Sequence, residues 1–155
     1  MTDRWKAHAR AIAEALADLD LRATAIEALL ARCEARRIEP GGVLCRAGDP
    51  GDTLFILLSG AVSVAAEGPG APEPVGHVEA PEVLGALALL DHTRRSATCT
   101  ATTEVECAVL RGTDFATLLR ESSEEGSALR WLVLASLTRQ LARTNARLAA
   151  LDAPR

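Results

Sequence analysis

The residues best suited to bind an anion lie between positions 83 and 98, where the sequence reads VLGALALLDHTRRSAT. Gly85 precedes an apolar run, 87–90, that is long enough for one or two helical turns. A short helix exposes unpaired backbone N–H groups at its first turn, and its dipole favours negative charge there. A glycine lets the backbone approach a ligand closely, and a guanidinium can hold a phosphate with two parallel hydrogen bonds. The segment therefore predicts a site for a phosphate group or a similar anion.

Arg95 is the side chain that we expect to bind this anion. An arginine before a strand is commonly a solvated surface charge, and we assign that ordinary role to its neighbour Arg94. Ser96 can donate its hydroxyl group, and Ala97 its backbone N–H, to a phosphate oxygen. Both are also the small residues that a tight turn requires, so the sequence leaves the two interpretations open for them.

The order of these residues resembles the phosphate-binding cassette of cyclic-nucleotide-binding domains, the sensor modules of catabolite-activator-type regulators and cyclic-nucleotide-dependent kinases. The similarity rests on GALALL at 85–90 and RSAT at 95–98. A second stretch, 48–64, reads G-D-x-x-D-x-L-F-I-L-x-S-G-x-V-x-V and follows the family in the same order; alone it would indicate only a β-hairpin. The resemblance implies that cAMP or cGMP binds inside a β-roll. Its phosphate would contact Gly85, Ala86, Leu87, Arg95, Ser96 and Ala97.

One position departs from the family. A glutamate usually follows the glycine and accepts a hydrogen bond from the ribose, and here that position is Ala86. Losing a hydrogen bond to a charged group costs about 1.5–3 kcal/mol, which is roughly a ten- to hundredfold loss of affinity. Glu82 lies close in the sequence and could substitute. The alternative is a degenerate domain that acts as a ligand-independent dimerisation or protein-interaction module, or that binds a different anionic ligand.

The elements that must position these residues predict a single α+β domain over 1–155. Two helices account for 1–37, where apolar residues recur at helical spacing. Short strands at close spacing fill 38–111 and are typical of a β-roll, a jelly-roll-like double-stranded β-helix. The C-terminal helices account for 112–151.

The last helix carries a seam of apolar positions at intervals of 3, 4, 3, 4 and 3 residues: Leu134, Leu137, Leu141, Thr144, Leu148 and Leu151. This spacing is typical of a coiled coil, and it favours a homodimer through residues 134–151 over a helix packed on its own barrel. In the resembled regulators the dimer helix supplies small polar side chains to the purine, so Thr144 and Asn145 are candidates for base contact. Because 152–155 leave no room for a helix-turn-helix domain, we expect a sensor that signals through this helix to a protein partner of unknown identity.

Composition and charge argue against several function classes. A net charge of −4, a pI near 5.4 and 3% aromatic residues argue against direct nucleic-acid binding, which uses basic faces and stacking aromatics. No apolar run reaches the roughly 18 residues of a membrane span, and the N-terminus lacks a signal-peptide pattern. We therefore expect a cytoplasmic protein that does not bind membranes. Four cysteines without C-x-x-C spacing favour reduced, buried thiols over a metal or redox role.

The sequence offers no catalytic constellation. Its histidines, His8, His77 and His92, are scattered without the spacing of a metal site. It shows neither a nucleophile–base arrangement nor a Walker-type glycine loop. We therefore expect a regulatory domain that is not an enzyme, with no catalytic residues, no metal and no cofactor other than its nucleotide ligand.

Overall fold

The computed structural model describes residues 3–66 and 73–152, so 1–2, 67–72 and 153–155 of the predicted domain lie outside the described residues. The chain begins with α1 (Asp3–Ala15), a short 3-10 turn (Ala17–Leu19) and α2 (Ala23–Leu30). Trp5, Ala9 and Ile12 recur at helical spacing and form the buried face of α1. Ile26, Leu29 and Leu30 do the same in α2.

Eight antiparallel strands follow among the described residues: β1 (Glu34–Ile38), β2 (Val43–Cys45), β3 (Thr53–Ser59), β4 (Ala61–Ala66), β5 (Glu73–Glu79), β6 (Glu82–Leu84), β7 (Ala97–Ala101) and β8 (Val105–Arg111). They form two four-stranded sheets with the orders β1-β8-β3-β6 and β2-β7-β4-β5. The helix α3 (Ala86–Asp91) lies between β6 and β7 in the chain. This arrangement confirms the predicted α+β class and the β-roll.

The alternation of side chains along the strands creates two apolar cores. The inner core lies between the two sheets and includes Phe55, Leu57, Cys99 and Cys107. The helix-side core lies between the first sheet and the helices and includes residues such as Ile56. Successive side chains of a strand point to opposite faces, so the continuous apolar run of β3 supplies both cores. A strand that is covered on both faces needs no polar side.

The prediction of helix throughout 1–37 was wrong at its end, because α2 ends at Leu30 and residues Glu34–Ile38 form β1. β1 pairs with β8 along its whole length, from Glu34 opposite Val109 to Ile38 opposite Val105. Two arginine–glutamate pairs join the same strands, with N···O distances of 3.2 and 3.4 Å. The helix propensity of alanine and arginine is a weak preference that pairing with a distant strand overrides. The roll therefore begins at β1 and not at residue 38.

Two helices complete the chain, α4 (Gly112–Arg120) and α5 (Glu124–Asp152). The first half of α5 packs into the helix-side core through Ala128, Leu129, Leu132 and Val133. All side chains over 141–150 are exposed. The first half of the helix is therefore anchored in the core, whereas the side chains of its second half are exposed to solvent.

Candidate functional site

The two sequence motifs meet in the folded chain. The backbone N–H of Gly48 donates to the carbonyl of Arg95 at 2.9 Å, and the N–H of Arg95 donates to the carbonyl of Asp49 at 2.9 Å. Residues 48–64 and the cassette at 83–98 are 18 residues apart in the sequence. The structure therefore brings the turn before β3 against the segment that precedes β7.

Gly85 begins the cassette helix with a left-handed backbone, φ +93°. A Cβ atom at this position would overlap Nη1 of Arg95 and would lie 3.0 Å from the carbonyl oxygen of Thr53. Both the backbone conformation and the close approach of the guanidinium therefore require glycine here. The residue joins β6 to α3 and places the first turn of α3 beside Arg95.

The Arg95 guanidinium is buried, with only 6% of the residue exposed. Nη1 donates to the carbonyl of Gly85 at 3.3 Å, and Nη2 donates to the carbonyl of Thr53 and to its Oγ1 at 3.1 Å. The Cζ atom of the guanidinium lies over the ring of Phe55, 5.8 Å from its centroid. Nε is buried and has no hydrogen-bond partner among the described residues.

The positive charge of Arg95 has no acidic partner among the described residues. None of the ion pairs among the described residues involves Arg95, and its hydrogen-bond partners are neutral oxygens. A buried charge is costly unless a counter-charge or a full set of hydrogen bonds compensates it. The side chain is thus held in place by neutral oxygens and retains unpartnered N–H donors, Nε–H among them. A guanidinium in this arrangement can bind a further acceptor group or an anion through its remaining donors.

The remaining predicted phosphate-binding residues differ in how deeply they are buried. Ala86 is buried in the helix-side core, whereas Leu87 is 56% exposed. Ser96 is exposed, and Ala97 is half-buried at the start of β7. The side chain at position 86 therefore points into the core.

The predicted base contacts lie apart from this cluster in the protomer. Thr144 and Asn145 belong to the exposed half of α5. The Thr144 hydroxyl donates to the carbonyl of Gln140, one turn earlier, at 3.0 Å. Their contact with a purine stays a prediction.

Glu82 is a buried acidic residue whose role the sequence did not reveal. Its carboxylate accepts from Arg139 of α5 at 3.1 and 2.6 Å, and Arg143 lies 3.7 Å away. Burial raises the pKa of Glu82, but the hydrogen bonds from Arg139 and from the Val83 N–H outweigh it and leave the pKa below its ordinary value. Glu82 is therefore engaged by α5, so it does not replace the missing ribose glutamate.

A second contact joins the same two elements. The Ser136 hydroxyl is fully buried and donates to the carbonyl of Val83 at 2.9 Å. Together with the Glu82–Arg139 pair, it fixes α5 to the strand β6. Because β6 leads directly into Gly85, these contacts connect the last helix to the start of the cassette.

We expect Arg139→Ala to lower the free energy of unfolding by about 2 kcal/mol near neutral pH, because it removes the two charged hydrogen bonds to a buried carboxylate and leaves it the Val83 N–H and the more distant Arg143. Wild-type Glu82 has a lowered pKa, so its contribution is complete above the ordinary carboxyl pKa and is lost as the pH falls through the folded-state value. The difference between wild type and variant should therefore shrink as the pH falls from 6 towards 3. Urea unfolding across this range measures it.

The matched control is Arg111→Ala, which removes the exposed pair with Glu34 at 3.4 Å. Exposed pairs contribute little to stability, so this variant should unfold as wild type does. Equal losses in the two variants would contradict the role assigned to Glu82.

A surface groove adjoins the cassette without including Arg95. It has a volume of about 730 Å³ and is lined by residues of the cassette and of α4, including Leu89, Leu90, Phe115 and Leu119. Neither Arg95 nor Ser96 lines it. Among the described residues, no group of three or more histidine, cysteine or acidic side chains is placed to hold a metal ion. No described helix combines the length and apolarity that a membrane span needs.

Comparison with known proteins identifies the fold. Residues 35–122, more than half of the chain, match the cyclic nucleotide-binding domain. The chain belongs to this family. The resemblance inferred from the cassette and from residues 48–64 is thereby confirmed, and the fold that carries it is a regulatory, sensor fold.

Individual relatives show the range of proteins that carry this domain. A cyclic nucleotide-gated potassium channel of Mesorhizobium japonicum is 39% identical over 90 residues, which are 58% of this chain and 24% of the channel. The acetyltransferase Pat of Mycolicibacterium smegmatis is 36% identical over 52% of this chain and 24% of its own length. The matched part is thus about a quarter of each of these proteins.

A solved structure shows the same architecture over most of the chain. The c-di-GMP responsive global regulator CLP of Xanthomonas campestris superposes with a TM-score of 0.75 and 26% identity, covering 84% of this chain and 64% of the regulator. The cyclic nucleotide-binding domain described here therefore shares its fold with a regulator of gene expression.

Proposed function

We propose that this cyclic nucleotide-binding domain is a sensor that binds cAMP or cGMP at the cassette and signals through α5. The observation that carries the proposal is the buried guanidinium of Arg95, which has an unpartnered Nε and no acidic partner among the described residues. A cyclic phosphate supplies one negative charge and several acceptor oxygens. It would therefore complete both the charge and the hydrogen bonding of this side chain.

The backbone at the start of α3 supports the same assignment. The first N–H groups of a helix have no partner within the helix, and here they belong to residues beside Gly85, next to the guanidinium. The exposed hydroxyl of Ser96 and the N–H of Ala97 follow Arg95 directly. We assign the phosphate to the N–H groups of residues 85–87, to Arg95, and to Ser96 and Ala97.

The position of Ala86 sets the expected affinity. Its side chain is buried in the helix-side core, and Glu82 is held by Arg139, so neither supplies the ribose acceptor. The loss of such a hydrogen bond weakens binding by roughly ten- to hundredfold. We therefore propose a sensor of reduced affinity.

Thermal unfolding with millimolar cAMP and, separately, cGMP tests this function. A ligand present at about 100 times its dissociation constant adds about 2.7 kcal/mol of stability, which raises the melting temperature of a domain of this size by several degrees. A rise with one nucleotide identifies the ligand. An unchanged melting temperature with both would contradict the proposal.

The same buried Ala86 favours a second candidate. Without a ribose acceptor, the cassette could serve a different anion, or the domain could be a ligand-independent dimerisation or interaction module. Inorganic phosphate in the same unfolding assay separates these cases. A rise with phosphate that equals the rise with the nucleotides would support an anion site without nucleotide specificity.

We further propose that α5 forms a homodimer through residues 134–151. The seam leucines Leu134, Leu141 and Leu148 are 54%, 61% and 55% exposed in the protomer, which is unusual for leucines at coiled-coil spacing unless a partner helix covers them. A ligand can shift the packing of this helix only through contacts that differ between two states. The Glu82–Arg139 and Ser136–Val83 contacts connect it to the cassette.

The double substitution Leu141→Glu/Leu148→Glu should dissociate this dimer, because it places like charges opposite one another in an apolar seam. Light scattering at tens of micromolar should give a dimeric mass for wild type and a monomeric mass for the variant. Ala146→Glu, at an exposed position off the seam, is the control and should stay dimeric. A monomeric wild type would refute the dimer.

The remaining assignments follow from the same picture. The free cysteines of the described residues suit a reducing compartment, so we assign the domain to the cytoplasm. We assign it no catalytic role, no direct nucleic-acid binding and no membrane binding, with a protein partner as the receiver of its signal.

A further inference from the structure

Two cysteines face each other across the second sheet. Cys45, at the end of β2, is the antiparallel partner of Cys99 in the middle of β7. A shift in register after Val43 places them opposite one another. Directly opposite residues of an antiparallel pair have Cα atoms about 4.5–5.5 Å apart, and this lies within the range that a disulfide requires.

The thiols themselves are in contact. Cys99 belongs to the inner core, and Cys45 packs against the same core from the partly exposed end of its strand. The Cys45 thiol donates to the carbonyl of Ala97, the first residue of β7, at 3.9 Å, and the Cys99 thiol lies close enough to interact with it. The other cysteines lack such a neighbour in their pairing: Cys107 lies opposite Arg36 and Leu57, and Cys33 donates to the carbonyl of Leu29 at 3.5 Å.

We propose that Cys45 and Cys99 are an oxidisable pair, which a hydroperoxide converts to a reversible disulfide between β2 and β7. The Cys45 thiolate attacks the peroxide oxygen, which forms a sulfenic acid and releases water or alcohol. The sulfur of Cys99 then attacks the sulfenic sulfur, its proton leaves with the departing hydroxide as water, and the S–S bond forms. The two thiols lose two electrons and two protons, and the peroxide gains them.

The surroundings of Cys45 favour it as the first sulfur to react. The hydrogen bond from Cys99 lowers the pKa of Cys45 to about 7, against the opposing effects of burial and of Asp49, and the positive charge of Arg95 adds to the lowering. The same contact raises the pKa of Cys99. Since the thiolate is the reactive form, and Cys45 is the more exposed of the two, the pair has distinct attacking and resolving members.

This pair adjoins the anion cassette, because β7 begins two residues after Arg95. In the reduced protein the Cys45 thiolate offsets part of the positive charge of Arg95, and the disulfide carries no charge. On the proposed function, oxidation should therefore tighten nucleotide binding at pH 8 by about threefold or more, as expected for removing one nearby like charge. The effect should fade at pH 6, where the thiol is protonated.

Mass spectrometry tests the pair without any nucleotide. After treatment with hydrogen peroxide, the intact protein should lose two hydrogen atoms and recover them with a dithiol reductant. Trypsin with a glutamate-specific protease separates peptide 96–104, which holds Cys99, from the part that holds Cys107. In the oxidised sample it should be linked to tryptic peptide 38–46, which holds Cys45.

Variants provide matched controls. Cys45→Ser and Cys99→Ser should abolish the mass loss, and Cys33→Ser should retain it. Overoxidation of wild type without a linked peptide, or an intermolecular disulfide as the main product, would overturn the pair. Formation of the disulfide with equal nucleotide affinity in both forms would overturn the link to the cassette and leave the pair standing, whereas an absence of nucleotide binding in both forms would count against the proposed function alone.

Discussion

Arg95→Lys will bind cAMP or cGMP at least 100-fold more weakly than wild type and will lose the nucleotide-dependent rise in melting temperature. Nη1 of the guanidinium donates to the carbonyl of Gly85 and Nη2 to the carbonyl of Thr53, while Nε has no hydrogen-bond partner among the described residues. An ammonium group preserves the charge but lacks the planar fork, so it cannot hold the carbonyls and present a fixed donor to a phosphate. Losing two charge-assisted hydrogen bonds, at about 1.5–3 kcal/mol each, accounts for this reduction.

Calorimetric titration measures the affinity, and the melting temperature without ligand shows whether the fold persists. The neighbouring variant Arg94→Lys is the control. Arg94 is exposed and donates to the carbonyl of Gly48 at 2.9 Å, so its substitution should leave nucleotide affinity unchanged. If Arg95→Lys binds as wild type does while Arg94→Lys does not, the assignment of the anion ligand is reversed.

Gly85→Ala will destabilise the domain by about 2–5 kcal/mol, through two effects that a control can separate. A side chain in the left-handed region costs roughly 1–2 kcal/mol, and overpacking against Arg95 and Thr53 adds about 1–3 kcal/mol. The same overlap should displace the guanidinium, so nucleotide binding should fall as well. Urea unfolding gives the free energy, and titration of the folded variant gives the affinity.

Gly41→Ala isolates the backbone effect. Gly41 also has a positive φ, +88°, but a Cβ atom there would meet nothing within 4 Å. Its substitution should therefore cost only the conformational part, about 1–2 kcal/mol, and should leave nucleotide affinity intact. Equal losses in the two variants would show that the contact of Gly85 with Arg95 is unimportant.

These experiments concern residues that the sequence identified to different degrees. Gly85 and Arg95 stand in an ordered motif, and their spacing alone pointed to an anion site. Thr53 and Phe55, which hold the guanidinium, gave no such signal because they lie 42 and 40 residues before it in the sequence. Only the packing of β3 beneath the cassette brings them together.

The same distinction explains the error over β1. Residues Glu34–Ile38 have no apolar alternation, and locally they continue a helix-favouring stretch. Their strand conformation comes from β8, which supplies hydrogen bonds and glutamate partners for Arg37. When the structure of a segment depends on a partner strand about 70 residues away, the local pattern of apolar residues does not predict it.

Ala86 and Glu82 show how far the sequence could predict the site. The sequence showed that the usual glutamate is absent and left Glu82 as a candidate replacement. In the structure Glu82 accepts a hydrogen bond from Arg139 of α5, because the buried carboxylate needs a counter-charge and the last helix provides one. Its function is therefore to join the helix to the cassette strand.

The sequence by itself determined the class of fold and the order of the cassette, because both depend on local spacing: strand alternation and a glycine before a short helix. The dimer seam of α5 stays a prediction. The tertiary structure alone decided which groups surround Arg95, which residue pairs with Glu82, and that Cys45 faces Cys99. These contacts join residues that are distant in the chain. They exist only because the antiparallel sheets and the anchored half of α5 bring those residues within a few ångströms of each other.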